Sequence, residues 1–265
     1  MSAKGLENEF SFIHYGNESM ASYRYRAKIP SEQLNIPLNQ EAEIYILSKP
    51  QKQDLQRKTF IADFCDDHFD NYYYIEILEK AILVTCPTEA MQQRIKSLGR
   101  DAIIIPDPYE YPLESPHCNG DRLLWYGHGS NLYSIVKWLE TFKNIRIVSN
   151  VDNTILWSHE TMLREFALAD IVLMPATKDY KSPNRTIEAI RQGCFVVAEP
   201  HSSIKDFPIY IGNLEEGVIW ARTHQQEANQ MILKAQEYIQ KYAPQTVASV
   251  WKQTLEYASI LAAAE

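Results

Sequence analysis

Short apolar runs recur along the chain, each followed by residues at helical spacing, and this alternation limits the fold more than any other feature. The runs lie at residues 10–15, 43–47, 60–64, 81–85 and 102–105, then at 123–126, 145–148, 171–174, 195–198 and 209–211. Strands that alternate with helices predict α/β architecture around parallel sheets. Between the first and second sets, residues 106–121 hold Pro106, Pro108, Pro112 and Pro116 with little apolar periodicity, which reads as an extended connector. Two domains are therefore expected, residues 1–110 and 111–265. From about Thr223 the chain reads as helix, broken near Pro244.

Composition narrows the class. The 265 residues are 45% apolar and 23% charged, as in a folded globular protein. A net charge of -8 argues against broad nucleic-acid binding, which needs a basic face. No apolar run approaches the roughly 20 residues of a membrane span, and the polar start predicts no signal peptide. Cys65, Cys86, Cys118 and Cys194 form no C-x-x-C pair, so reduced thiols in a cytoplasmic protein are expected rather than zinc ligands.

The segment from Lys181 to Gly193 carries the most chemistry. Ser182 reads as an N-cap, Pro183 as the first helical residue and Gly193 as the residue closing the helix. A helix N-terminus presents unpaired N–H groups and a positive dipole end, where a diphosphate binds readily. Lys181 and Arg185 put positive charge where the helix itself disfavours it, which hints at an anionic ligand. Asn184 lies between them. Glu188, three residues after Arg185, could accept hydrogen bonds from two ribose hydroxyls. The competing reading is an ordinary Arg185–Glu188 helical pair worth about 0.3 kcal/mol. A second turn, Gly127-His128-Gly129-Ser130-Asn131, links a strand to a predicted helix bearing Leu132, Ile135, Val136 and Leu139. It offers close backbone approach beyond a strand end, where parallel sheets bind ligands; a plain tight turn is the alternative.

With these residues in view, the stretch from Ala169 to Pro175 followed by Asn184-Arg185-x-x-Glu188-Ala189-x-x-x-Gly193-Cys194-x-Val196-Val197 resembles the donor-site core of GT-B glycosyltransferases, closest to the group with an E-x7-E motif. The resemblance covers roughly residues 120–215. It implies two Rossmann-like domains facing a cleft, with the C-terminal helices packing back on the first domain. It implies transfer of a sugar from a nucleotide-diphosphate sugar to a glycan or lipid-linked acceptor, in surface polysaccharide or glycoconjugate synthesis, without metal or cofactor. Glu188 matches the motif's ribose-binding second glutamate; Arg185 and Lys181 are the nearest diphosphate ligands. The first glutamate falls at Tyr180, and the basic residues many members carry after the first strand of this domain fall near His128 and Tyr133.

On the acceptor side, the resemblance turns Arg24 and Arg26 toward the cleft, where they could meet a phosphate or an anionic acceptor; two solvated arginines are the alternative. Asp66, Asp67 and His68 crowd a strand end and could supply a general base if the reaction inverts; an acidic helix cap is the alternative there. His14, Asp107, Tyr109 and Glu110 are further cleft candidates. A membrane surface is compatible with a lipid acceptor but not required. The readings outside transfer are a non-catalytic nucleotide- or glycan-binding protein, suggested by Tyr180, and a nucleotide-sugar epimerase on the same fold.

Overall fold

The computed structural model describes residues 5–264. Its contacts divide into two units. One holds the chain up to Glu110, the short stretch Tyr180–Ser182 and the residues from Lys241 onward; the other holds Tyr111–Asp179 and Pro183–Gln240. Each unit is built on one parallel sheet, as the alternation predicts.

In the first unit a short helix α1 (Leu6–Glu9) leads into β1 (Phe10–Ile13). Helix α2 (Ala21–Tyr23) continues through a π-helical turn, Arg24–Lys28, into α3 (Ile29–Leu34). Then come β2 (Ile44–Ser48), a 3-10 turn Lys52–Gln56, β3 (Phe60–Asp63), α4 (Tyr72–Lys80), β4 (Leu83–Cys86), α5 (Glu89–Ser97) and β5 (Ile103–Ile104). The strands pair in the order β1-β2-β3-β4-β5. Successive strand residues point to opposite faces, and β2 shows the result. Its Leu47 joins a core with Ile77, Leu78, Met91 and Ile95, while Ile44 and Ile46 join a core with Phe10, Phe12 and Ile61. The start of α5 is as expected: Thr88 Oγ1 accepts the Met91 N–H at 3.2 Å.

The second unit holds β6 (Leu123–Tyr126), α6 (Tyr133–Val136), β7 (Arg146–Ser149), β8 (Ile155–Leu156), α7 (His159–Leu168), β9 (Ile171–Met174), α8 (Asn184–Arg191), β10 (Phe195–Ala198), β11 (Tyr210–Ile211), α9 (Leu214–Thr223) and α10 (Gln225–Tyr238). The strand order is β11-β10-β9-β6-β7-β8. Leu123, Trp125, Ile171, Leu173, Phe195 and Val197 fill one face with Val218 and Ile232 behind them. Ser158 caps α7 as expected, accepting the Thr161 N–H at 3.0 Å. Gly193 follows α8 at φ +76°, a left-handed conformation, with Ser115 O only 2.2 Å from where a Cβ would stand.

The long final helix, α11 (Pro244–Ala262), returns to the first unit. Trp251 is fully buried and meets Phe12 edge-on at 5.3 Å; Val247, Leu255 and Ala258 share that core. No helix among the described residues is long and apolar enough to cross a membrane.

Three sequence expectations change. Pro183, not Ser182, occupies the N-cap position of α8, and no side chain caps that helix. The helix expected after Gly127-His128-Gly129 is one turn, α6, preceded by a 3-10 turn at Gly129–Asn131; so short a helix has little dipole to offer an anion. Strand β8 and helix α9, which the sequence reading omits, complete the second unit.

Candidate functional site

In the second unit the first turn of α8 lies at the carboxyl end of β6. The first turn has no acidic residue and no side-chain cap, so its leading N–H groups have no side-chain acceptor. Asn184 opens the helix and is half-buried. Arg185 follows. Its guanidinium carbon lies 5.1 Å from the Trp125 ring centre and 5.2 Å from that of Tyr126. Nε and Nη2 are both shut off from solvent, and neither has a hydrogen-bond partner. Burial pulls the Arg185 pKa below its ordinary value, opposed only by Tyr126. Native structures rarely leave a buried charge unanswered. The Arg185–Glu188 pair of the competing reading does not form; Glu188 pairs with Arg191 instead.

The Gly127 turn is built around that cation. A Cβ on Gly127 would stand 3.1 Å from the Arg185 guanidinium carbon and 3.2 Å from the Trp125 ring, so the glycine makes room for both. The Tyr126 hydroxyl donates to the Arg185 carbonyl, tying the end of β6 to the first turn of α8. Beyond Gly127 the turn is closed on itself. Asn150 Oδ1 accepts the Gly129 N–H at 2.7 Å, and His128 Nδ1 lies 2.9 Å from Ser130 Oγ. Glu188, one turn into α8, accepts from Arg191 Nη2 at 2.9 Å and Nε at 3.3 Å. Arg191 is fully buried, stacks on Tyr111 at 5.0 Å and donates to the Pro112 carbonyl at 2.8 Å. Sequence reasoning passes over Arg191 and the Trp125–Tyr126 platform; the aromatic pair immediately before Gly127 is the available signal.

Tyr180, Lys181 and Ser182 belong with the first unit. The Tyr180 ring packs on the core of α4 and α5, and its carbonyl accepts from Thr88 Oγ1 at 3.2 Å. Lys181 Nζ donates to Asp66 Oδ1 at 2.6 Å. Ser182 Oγ is buried beside Asp107 without meeting hydrogen-bond geometry.

The acceptor-side candidates also have partners. Arg26 is fully buried. Its Nε and Nη2 donate to Asp63 at 2.9 and 2.5 Å, and Nη1 donates to the Ile105 carbonyl and to Asp107, the latter at 3.2 Å. Burial opposes the charge of Arg26, but Asp63 and Asp107 outweigh it and raise its pKa. Arg24 is buried too, with Nε on Glu110 at 2.8 Å and Nη1 on the Glu18 carbonyl at 2.7 Å. Neither arginine is the solvated side chain that the alternative reading describes. Asp66 takes Lys49 as well as Lys181, at 3.3 Å. Burial pushes the Asp66 carboxyl up, yet the two lysines prevail and hold it below the usual range. Asp67 pairs with Arg94 at 3.1 Å, and exposed His68 meets Tyr74 edge-on. The structure thus gathers Asp66 and Lys181, and leaves Asp67 and His68 with other partners.

His14, at the end of β1, is buried and neutral. Burial first, and Lys49 second, lower its pKa to about 4 against the opposing pull of Asp63. Its Nδ1 accepts the Gly16 N–H at 2.8 Å. An unfolded histidine titrates near 6.5, so between about pH 6.5 and 4 the unfolded chain binds the extra proton and stability falls as pH falls. Thermal melts should show that loss in the wild type, and His14→Asn should flatten it by at least about 3 °C. Identical slopes would place the effect elsewhere. A separate cavity of about 580 Å³ lies against Tyr15, Tyr45 and Asp54. Asp54 is already answered there by the Tyr15 hydroxyl at 2.5 Å and Arg57 Nε at 3.0 Å, so the cavity makes no evident demand for a ligand.

No protein-family model matches the chain, and no curated protein matches it in sequence. Solved structures do match it in shape. Anabaena Alr3699/HepE, crystallised with UDP and glucose, superposes with a TM-score of 0.71 at 12% identity, over 94% of this chain and 99% of that one. S. aureus TarM, crystallised as a point mutant with fondaparinux, α-GlcNAc-glycerol and UDP, gives 0.58 at 14% identity, over 80% of this chain and 55% of that one. An α1,3-fucosyltransferase gives 0.51 at 9% identity, over 88% and 82%. With its parallel five- and six-stranded sheets, the chain has the GT-B fold.

Proposed function

We propose that this chain transfers a sugar from a nucleotide-diphosphate sugar to an acceptor hydroxyl, with the donor held in the second unit. The observation that carries the proposal is Arg185. It is a cation with two sequestered, unpartnered nitrogens at the open start of an eight-residue helix. A diphosphate would answer both the guanidinium and the first-turn amides. Charge builds on the departing diphosphate as the sugar leaves, so this grip strengthens toward the transition state, which is what accelerates a reaction. Glu188, steadied by Arg191, would accept from the ribose hydroxyls. The UDP and UDP-glucose held by HepE, and the glycans held by TarM, support a nucleotide sugar and a glycan acceptor. Synthesis of a surface polysaccharide or glycoconjugate is the setting we propose. Four free cysteines, three of them buried, fit a cytoplasmic placement.

Calorimetric titration with UDP, GDP, ADP and dTDP tests the site. Glu188→Ala should weaken binding of the preferred nucleotide at least about tenfold, or 1.4 kcal/mol. Glu188→Gln, which can still accept from Arg191 and from a hydroxyl, should lose less. Unchanged affinity in both would remove Glu188 from the site. A second reading, a nucleotide-binding protein without turnover, is favoured by Tyr180 at the first motif position and by the cationic partners of Asp66 and Asp67. Free nucleoside diphosphate released only when an acceptor is present would decide for transfer.

A further inference from the structure

Arg191 is clamped through every nitrogen of its side chain, which is only 1% exposed. Nε and Nη2 donate to Glu188 Oε2 at 3.3 and 2.9 Å, and Nη1 donates to the Pro112 carbonyl at 2.8 Å. The Tyr111 ring covers the guanidinium, its centre 5.0 Å from the central carbon. Tyr111 is fixed in turn. Its hydroxyl lies 2.8 Å from His159 Nδ1, and the His159 ring packs against Trp157 at 5.2 Å. All of these residues belong to the second unit. A Glu–Arg pair three residues apart on a helix surface needs no such support. Burying one costs desolvation that the attraction barely offsets, and an apolar side chain of similar volume commonly packs as well or better. Stability therefore does not account for Arg191, whereas orientation does. A planar guanidinium held by a ring and a carbonyl, with two donors on Glu188, restricts the direction of that carboxylate. A carboxylate set in advance loses little entropy when a ligand arrives, and so binds it better.

From this we infer that Tyr111 and His159 are positioning residues for ribose recognition: they fix Arg191, Arg191 fixes Glu188, and the chain thereby selects ribose over 2′-deoxyribose. The inference rests on the reading of Glu188 as the ribose acceptor. It goes beyond that reading by assigning the selectivity to two residues outside α8, one in the connector and one at the start of α7. Neither touches the nucleotide in this account; each acts through the guanidinium.

The test is calorimetric titration of the full chain with UDP and 2′-deoxy-UDP, and with the same pairs for GDP and ADP. Selectivity is the ratio of affinities within the pair that binds best. The wild type should prefer the ribonucleotide at least about tenfold, the contribution of one hydroxyl donating to a carboxylate. Arg191→Met should bring the ratio to within about twofold of unity, and Arg191→Lys, which keeps the charge without the fork, should recover part of it. Tyr111→Phe keeps the ring on Arg191 but loses the His159 contact, and should lower the ratio about threefold. His159→Phe should match it, and the double variant should fall no further, because both changes remove the same contact. A merely structural role would weaken both nucleotides of the pair equally, with a lower melting temperature. An unchanged ratio in Tyr111→Phe and His159→Phe would overturn the inference, whatever Arg191→Met does, and would leave the Glu188 reading standing. A wild type that does not distinguish the two sugars, or binds no nucleotide of the series, would remove Glu188 from the ribose and the inference with it.

Discussion

Arg185→Met is expected to make this protein more stable and worse at holding a nucleoside diphosphate. In the unliganded chain the guanidinium lies against Trp125 and Tyr126 with Nε and Nη2 unpartnered, a cost to folding that a thioether does not carry. The melting temperature should rise by about 2–4 °C, equivalent to about 1 kcal/mol for a chain of this size. Affinity for the preferred nucleoside diphosphate should fall at least about thirtyfold, or 2 kcal/mol, the value of a charge-assisted contact. Arg185→Lys keeps the charge but not the fork, and should recover part of the loss. A melting temperature that falls while nucleotide affinity holds would show Arg185 to be a packing residue. Sites shaped for a ligand commonly sacrifice stability in this way.

The opposite behaviour is expected of a buried arginine whose charge is answered. Arg26→Met should destabilise the chain by about 3–5 kcal/mol, because it strands Asp63 and Asp107 in the interior. The midpoint of urea unfolding should drop accordingly. Asp63→Asn added to Arg26→Met should recover part of the loss, since one buried carboxylate is then neutral. If Arg26→Met kept its stability and lost acceptor turnover instead, the acceptor-side role first read for Arg26 would stand. The pair of variants separates two arginines that look alike in composition. Arg26 has carboxylate partners within the fold; Arg185 leaves Nε and Nη2 without a hydrogen-bond partner.

The sheet residues were legible because strands buried on both faces must be written as apolar runs, and the caps at Thr88 and Ser158 were legible because capping needs particular side chains. The partners of Arg26 were not. Asp63 lies 37 residues away and Asp107 81 residues away, and only the folded sheet brings them together. The ion pair of Lys181 was hidden for a related reason. Proximity to α8 along the chain suggested a shared ligand, but its charge is answered by Asp66, 115 residues distant. The apolar spacing at Leu132, Ile135, Val136 and Leu139 overstated α6, since Val136 and Leu139 turn out exposed and no core rewards a longer helix. The glycine at position 127 was read as backbone approaching a ligand. What approaches is Arg185, so the glycine serves the site through the residue that would hold the ligand.

Trp251 and its neighbours on α11 complete a core that begins with Phe10 and Phe12. During synthesis on the ribosome, β1 therefore waits for its cover until Trp251 has been made. Elongation proceeds at roughly 5–20 residues per second, so that apolar face stays uncovered for more than about ten seconds. A nascent chain arrested before Trp251 emerges from the exit tunnel should be bound by chaperones and cut readily by protease, although every strand of both sheets has already been made.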